Sequence, residues 1–130
     1  MKNIIFYIKT DLDNKMRKYN LTTVQVLILQ FLNDNSNKEI IQKDICEHLS
    51  LKHSTIINIL KRLEMKELIT KKTNYKSVVS ITDKGKQLVE EIGAKSGFIE
   101  NDLLKGFTKD EIETLSSQLD RIYQNINNKE

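Results

Sequence analysis

Ser54, Thr55, Asn58, Lys61 and Arg62 fall within residues 54–62 and share one kind of chemistry. Hydroxyls exchange hydrogen bonds with base edges and phosphates. An Asn amide pairs in two-pronged fashion with adenine, and Lys or Arg reaches guanine or phosphate. At 100° per residue, Ser54, Asn58, Lys61 and Met65 line one side of a helix, with Thr55 and Arg62 beside them. Ile56, Ile59, Leu60 and Leu63 gather on the opposite side. Two faces are common on any surface helix, so it is the composition of the outer face that points to nucleic acid. Reading of bases falls to the N-terminal turns, which makes Ser54, Thr55 and Asn58 the candidates there. Lys61 and Arg62 are expected to anchor phosphates, and Lys52 and His53 open the same surface.

Charge is unevenly spread. Lys52, Lys61, Arg62, Lys66, Lys71, Lys72 and Lys76 stand against Glu64 and Glu67 in residues 52–76, a balance of +5. Residues 100–130 carry four basic and seven acidic side chains, a balance of −3. A local excess of positive charge is what attraction to phosphate requires. An ordinary solvated face would also account for the charge taken alone.

Other chemistry finds little support. There is no Gly-rich phosphate loop and no Ser/His/Asp set, so catalysis is not expected and no cofactor is implied. Cys46 and His48 are two apart, with His53 nearby, but such helix positions point in different directions and a metal needs three or four convergent ligands. Cys46, on the inward side of a short helix, reads as an inert core thiol, with redox sensing as the alternative. Asp11 and Asp13 read as solvated polar positions. A single cysteine excludes an internal disulfide and fits a reducing cytoplasm. No apolar run is long enough to cross a membrane, and no small-residue cleavage site follows the first residues. The abundance of Asn, Lys and Ile suggests an AT-rich bacterial genome. The expected location is the cytoplasm, at the nucleoid when bound to DNA.

Six helical segments and one hairpin are expected to position these residues. The first helix runs from about Ile4 to Tyr19, with an apolar stripe of Ile5, Ile8, Leu12, Met16 and Tyr19. The second begins at Thr22, which has capping-box spacing to Gln25, and buries Val24, Leu27, Ile28, Phe31 and Leu32. The third spans about Gln42 to Leu49, with Ile45, Cys46 and Leu49 inward. The fourth spans about His53 to Lys66. Strands Leu68 to Lys72 and Ser77 to Ile81 then flank residues 73–76. Thr82 caps a fifth helix with Leu88, Val89, Ile92, Ile99 and Leu103 along its stripe. After a Gly-Phe-Thr break, Thr108 and Glu111 form a second capping box. In the last helix Ile112, Leu115, Leu119, Ile122 and Ile126 repeat as a coiled-coil-like seam that wants a partner.

The order helix, turn, helix, hairpin is that of a winged helix-turn-helix, which offers one helix to the DNA major groove. The expected fold is mainly α with a small β wing, flanked by N- and C-terminal dimerisation helices. The chain resembles the MarR family of transcription regulators over nearly its whole length. Residues Gln42 to Leu49 resemble the first helix of the family's helix-turn-helix. Ser54-Thr55-Ile56 through Leu63-Glu64 resembles its recognition helix, and Ile81-Thr82-Asp83-Lys84-Gly85 resembles the motif that closes the wing. The resemblance implies one MarR-like domain over 1–130, with 1–21 and 86–130 as dimerisation helices and 22–85 as the winged helix-turn-helix. It also implies a homodimer whose subunits each engage half of a pseudo-palindromic operator in double-stranded DNA. Such a regulator is most often a repressor, released by a small phenolic or lipophilic effector held between the dimer helices and the winged part. Phe6, Tyr19, Phe31 and Phe98 are the candidate lining of that pocket, with core packing as the commoner role for each.

Four departures from the family pattern stand out. Glu67 occupies a position where Gly is usual; if it must be left-handed, Glu costs up to about 1 kcal/mol more than Gly. Ile41 precedes the third helix where a capping Thr or Ser is common. Ile57 replaces a frequent polar residue and is expected to flank the core, with contact to a thymine methyl as its other role. The wing is shorter, and Thr73 and Tyr75 stand where the family carries Asp and Arg. Lys71, Lys72, Asn74, Tyr75 and Lys76 remain as wing contacts. Lysine neutralises phosphate but reads a narrow groove poorly, so the wing is expected to add affinity more than selectivity.

Three readings stay open. The first is a dimeric regulator released by an effector. The second is a regulator controlled by its abundance or by a protein partner. The third is a winged helix used for protein contact alone, against which the +5 cluster argues.

Overall fold

The computed structural model describes residues 3–73, 77–95 and 103–128. It resolves into two compact units, residues 1–92 and 93–130.

The first unit begins with α1 (Ile4–Met16), whose N-cap Asn3 accepts a hydrogen bond from Phe6 N at 3.1 Å. Its last turn tightens into a 3-10 helix over Arg17–Tyr19 instead of running on as α-helix, and Asn20 ends it at φ 58°. Asn tolerates this left-handed backbone better than most residues. α2 (Thr23–Asp34) starts with the expected reciprocal box: Gln25 N donates to Thr22 Oγ1, and Thr22 N to Gln25 Oε1. Asp13 is not simply solvated. Its Oδ1 accepts from both Thr23 N at 3.1 Å and the Thr23 hydroxyl at 2.6 Å, tying α1 to the start of α2. The buried face of α2 is Gln25, Val26, Ile28, Leu29 and Leu32. Leu27 points outward, while Val24 and Phe31 are half-buried, so the expected stripe is rotated. In a run this apolar the period is ambiguous, and the neighbouring elements choose the face.

A two-residue strand, β1 (Ile40–Ile41), precedes α3 (Gln42–Leu49) and is too short to show a period. Ile41 has no side-chain acceptor, so α3 has only half a capping box, in which Ile41 N donates to Asp44 Oδ2 at 3.0 Å. α3 ends at Ser50 with φ 54°, and Leu51 N donates back to Cys46 O. α4 (His53–Met65) follows, and buries Ile56, Leu60 and Leu63.

α4 closes in a Schellman arrangement: Glu67 N donates to Glu64 O at 2.9 Å and Leu68 N to Leu63 O at 3.0 Å. The left-handed residue is Glu67, at φ 62°. Because Leu68 belongs to this turn, β2 begins one residue later than expected, at Ile69–Thr73. It pairs antiparallel with β3 (Ser77–Ile81), from Ile69 opposite Ile81 to Thr73 opposite Ser77. β1 lies on the other side of β3, with Ile40 opposite Val79, so the order is β1-β3-β2.

Thr82 joins these parts. Its hydroxyl donates to Glu67 O at 2.7 Å and accepts from Gly85 N at 3.1 Å, while its N–H donates to Leu68 O. It thereby caps α5 (Asp83–Lys95) and pins the turn after α4 to the end of β3. Ile28, Ile45, Ile56, Leu63 and Ile69 are at most 1% exposed and form the core of this unit. Burial of each contributes about 1.5–3 kcal/mol. The first turns of α1 have no such cover: Ile5 is 83% exposed, and Ile4, Phe6 and Tyr7 are also open.

In the second unit, Gly106 at φ 85° turns the chain toward α6 (Lys109–Asn127). Both halves of the Thr108–Glu111 capping box form. None of the α6 side chains is buried: Leu119, Ile122 and Ile126 of the seam are exposed, with Tyr123 alongside. Phe98 and Ile99 lie outside the described residues.

Candidate nucleic-acid interface

α4 is held by its apolar face and leaves the other face bare. Ser54, Thr55, Asn58, Lys61, Arg62 and Met65 are all exposed, whereas Ile57 and Ile59 flank the core half-buried. No side chain caps the start of α4, and its N-cap is Lys52. The first-turn N–H groups therefore stay open at the positive end of the helix dipole, a favourable place for an anion. Lys52 and His53 are exposed there too. His53 is partly engaged, since the Gln42 amide lies 3.3 Å from its Nδ1 and links the starts of α3 and α4.

On the wing, Lys72 is exposed and Lys71 half-buried. Lys72 pairs with Val78 and Lys71 with Val79, so successive lysines face opposite sides of the hairpin. β2 is one of the two edge strands of the sheet. Asn74, Tyr75 and Lys76, expected at the tip, lie outside the described residues.

A cleft of about 360 Å³ opens beside the C-terminal half of α4, lined by Asp13, Arg17, Thr22, Gln25, Arg62 and Lys66 among others. Its three cations face one carboxylate, and that carboxylate is already committed. Asp13 has its pKa lowered from 3.8, first by the Thr23 hydroxyl, against opposing desolvation, and further by Thr23 N–H and Lys9. Arg62 makes no ion pair among the described residues. An anionic group would complete the charge balance. Arg17 was not legible as a partner of Arg62 in the sequence, because 45 positions separate them and only the α1–α2 turn brings them together.

The remaining candidates sort by environment. Cys46 is buried, and burial, followed by the charge of Glu47, raises its pKa against an opposing backbone hydrogen bond. That is the environment of an unreactive thiol. His48 stacks on Phe31 at 4.2 Å between ring centroids, while Phe6 packs edge-on against Tyr7. Those two phenylalanines therefore sit in different ring pairs. Among the described residues no group of three or more His, Cys, Asp or Glu could hold a metal, and no helix is long and apolar enough to cross a membrane.

Comparison with known proteins agrees with this geometry. Residues 21–85 match the family model of the winged helix DNA-binding domain. An uncharacterized HTH-type transcriptional regulator of Bacillus subtilis (strain 168), YwaE, is 33% identical over 88 residues, which is 65% of this chain. The matched stretch spans about half, 52%, of that relative. Among solved structures, MarR from Oenococcus oeni PSU-1 superposes with a TM-score of 0.76 at 28% identity, covering 95% of each chain. MepR of Staphylococcus aureus, in its complex with DNA, superposes with a TM-score of 0.83 at 24% identity, covering 95% of this chain and 91% of MepR. The chain belongs to the winged helix DNA-binding domain family, and shares its fold with transcription regulators of the MarR type.

Proposed function

We propose that this protein is a homodimeric repressor that binds a pseudo-palindromic operator, one recognition helix per half-site, and is released by a small anionic effector. The observation that carries the reading is the outer face of α4. Ser54, Asn58 and Lys61 are exposed along one line, on a helix fixed from behind by Ile56, Leu60 and Leu63. Ser54, Thr55 and Asn58 then read base edges. Lys52, Lys61, Lys71, Lys72 and Lys76 neutralise phosphates, and His53, Asn74 and Tyr75 add hydrogen-bonding contacts in this reading. MepR, a relative of the same fold, is solved in complex with DNA.

Residues 1–21 and 86–130 serve as dimerisation helices in this reading. The open apolar side chains of α1 (Ile4, Ile5, Phe6, Tyr7) and of α6 (Leu119, Ile122, Ile126) support it, because each stripe needs a partner to leave water. The cleft of Arg17, Arg62 and Lys66 supports an effector that carries an acid group, such as a phenolic acid, more than a purely lipophilic one. A ligand there would pull on Arg62 and Lys66, both at the C-terminal end of α4, and so shift the helix that reads DNA.

The test is fluorescence anisotropy of the purified protein with the duplex upstream of its own gene, against a scrambled duplex. The expected result is stoichiometric binding of one dimer to the upstream duplex, weakening by about 0.9 log unit per phosphate contact for each tenfold rise in salt. Absence of binding to either duplex would overturn DNA binding. A sedimenting species of monomer mass at micromolar concentration would overturn the dimer.

A further inference from the structure

Lys66 follows the last turn of α4 and is held from two directions. Its Nζ donates to the backbone carbonyl of Asn20, and its own carbonyl accepts from Lys84 Nζ at 3.2 Å. Asn20 closes the turn after α1, and Lys84 stands in the first turn of α5. The segments before and after the winged helix-turn-helix therefore meet the end of α4 at one residue. The acceptor is firmly presented. Asn20 is left-handed at φ 58°, its N–H donates to Arg17 O at 2.9 Å, and Leu21 N donates to Met16 O. Met16 and Leu21 are buried. The carbonyls at this end carry the negative pole of the helix dipole, which an ammonium suits.

Lys66 is not on the DNA-facing line. At 100° per residue it lies about 120° round from Ser54, and it is half-buried where Lys61 and Arg62 are exposed. Its position instead gives it control of the helix's tilt. Leu60 is 1% exposed and fixes the middle of α4 in the core. Ser54 and Lys66 stand six residues to either side of it, about 9 Å along the axis at a rise of about 1.5 Å per residue. A sideways shift at Lys66 is therefore returned at Ser54 with about the same size and the opposite sign. A hydrogen bond to a base edge is lost when its donor moves out by about 1 Å, from about 2.9 Å to beyond about 3.5 Å. The N-terminal turns that read bases thus depend on where the other end of the helix is held, although that end touches no base.

We infer that Lys66 is a positioning residue for DNA recognition: its ammonium ties the turn after α1 to the end of α4, and so fixes the tilt at which Ser54, Thr55 and Asn58 meet the bases. This rests on the DNA-binding reading above. The experiment begins with a duplex selected from a random-sequence pool by the wild-type protein. Wild type, Lys66→Met, Lys66→Gln and Lys66→Arg are titrated against that duplex and a scrambled one over a range of salt, by fluorescence anisotropy. Lys66→Met and Lys66→Gln should each lose about fivefold on the selected duplex, less than the tenfold or more of a fully buried hydrogen bond to a charged group. Both should stay within about twofold of wild type on the scrambled duplex, with an unchanged salt slope. Lys66→Arg, which keeps the charge and a donor, should recover most of the loss. Equal losses on both duplexes, with a slope shallower by about 0.9, would make Lys66 a phosphate contact and overturn the inference. Unchanged affinity on both duplexes, with or without a lower urea midpoint, would overturn it too, since the bond would then matter to stability at most. If the wild type selects no sequence from the pool, the underlying reading of sequence-specific binding fails first, and the inference fails with it. Far-UV circular dichroism checks that each variant is folded; the two variants that remove the ammonium differ in shape, so either one carries the test.

Discussion

Replacing Gly85 with alanine would put a Cβ 2.4 Å from the Leu68 carbonyl oxygen and 2.7 Å from Ile81 Cγ1. Neither neighbour can step aside easily. Leu68 O accepts the Thr82 N–H at 3.0 Å, and Ile81 is paired with Ile69 at the end of the hairpin. Forcing one carbon into such a site costs about 1–3 kcal/mol. Alanine's better helix propensity returns less than about 1 kcal/mol in the first turn of α5. The net loss is about 1–2 kcal/mol, or about 4–16 °C in Tm at 4–8 °C per kcal/mol for a unit this size. Gly93 is the internal control, on the same helix with nothing within 4 Å of its hypothetical Cβ. Gly93→Ala should therefore stabilise by up to about 1 kcal/mol. Both variants would be unfolded in urea at one protein concentration, followed by far-UV circular dichroism, since an oligomer's stability depends on concentration. Changes of the same sign would refute the argument. They would mean that the backbone around Leu68 yields and that close approach is not why glycine stands at 85.

Four further outcomes follow from the same geometry. Glu67→Gly should raise stability by about 0.5–1 kcal/mol in the same urea assay, because a left-handed backbone at φ 62° costs a residue with a Cβ more than it costs glycine. Thr82→Val should lower it by about 1–2 kcal/mol, since one hydroxyl both caps α5 at Gly85 N and bonds Glu67 O; no loss would show that the cap is dispensable. Asp13→Asn should destabilise at neutral pH and lose its effect in acid. The folded pKa lies below the ordinary 3.8, so the carboxylate's contribution is present above that value and disappears as pH falls through the folded pKa; an urea midpoint difference independent of pH would refute it. Lys72→Ala plus Lys76→Ala should weaken binding to selected and scrambled duplexes alike and lower the salt slope by about two phosphate contacts, whereas a loss confined to one sequence would make the wing a reader of bases.

The winged helix-turn-helix was legible in the sequence because its signals are local. Capping boxes at Thr22 and Thr108 and the apolar spacing of α4 act within one or two turns, and all appear where the spacing puts them. The left-handed position at 67 was also marked, by the residue that departs from glycine there. Longer-range choices were not legible. The face of α2 turned from Leu27 to Val26 and Leu29 because, in the apolar run Val26–Leu29, only the packed neighbours decide which side is buried. β1 has two residues and exists only through its pairing with β3. Asp13 read as solvated, yet Thr23 comes to it through the tight turn after α1.

For the candidate site, the sequence determined the residues of the α4 face and their common direction, since a helix fixes both through its period. Tertiary structure decided which of them remain available. It bound His53 toward Gln42, drew Arg62 into a cleft with Arg17 and Lys66, and left Met65 open on the outer line. Those assignments depend on contacts between segments far apart in the chain, and a one-dimensional pattern carries spacing along a helix but not the partner that another segment brings to it.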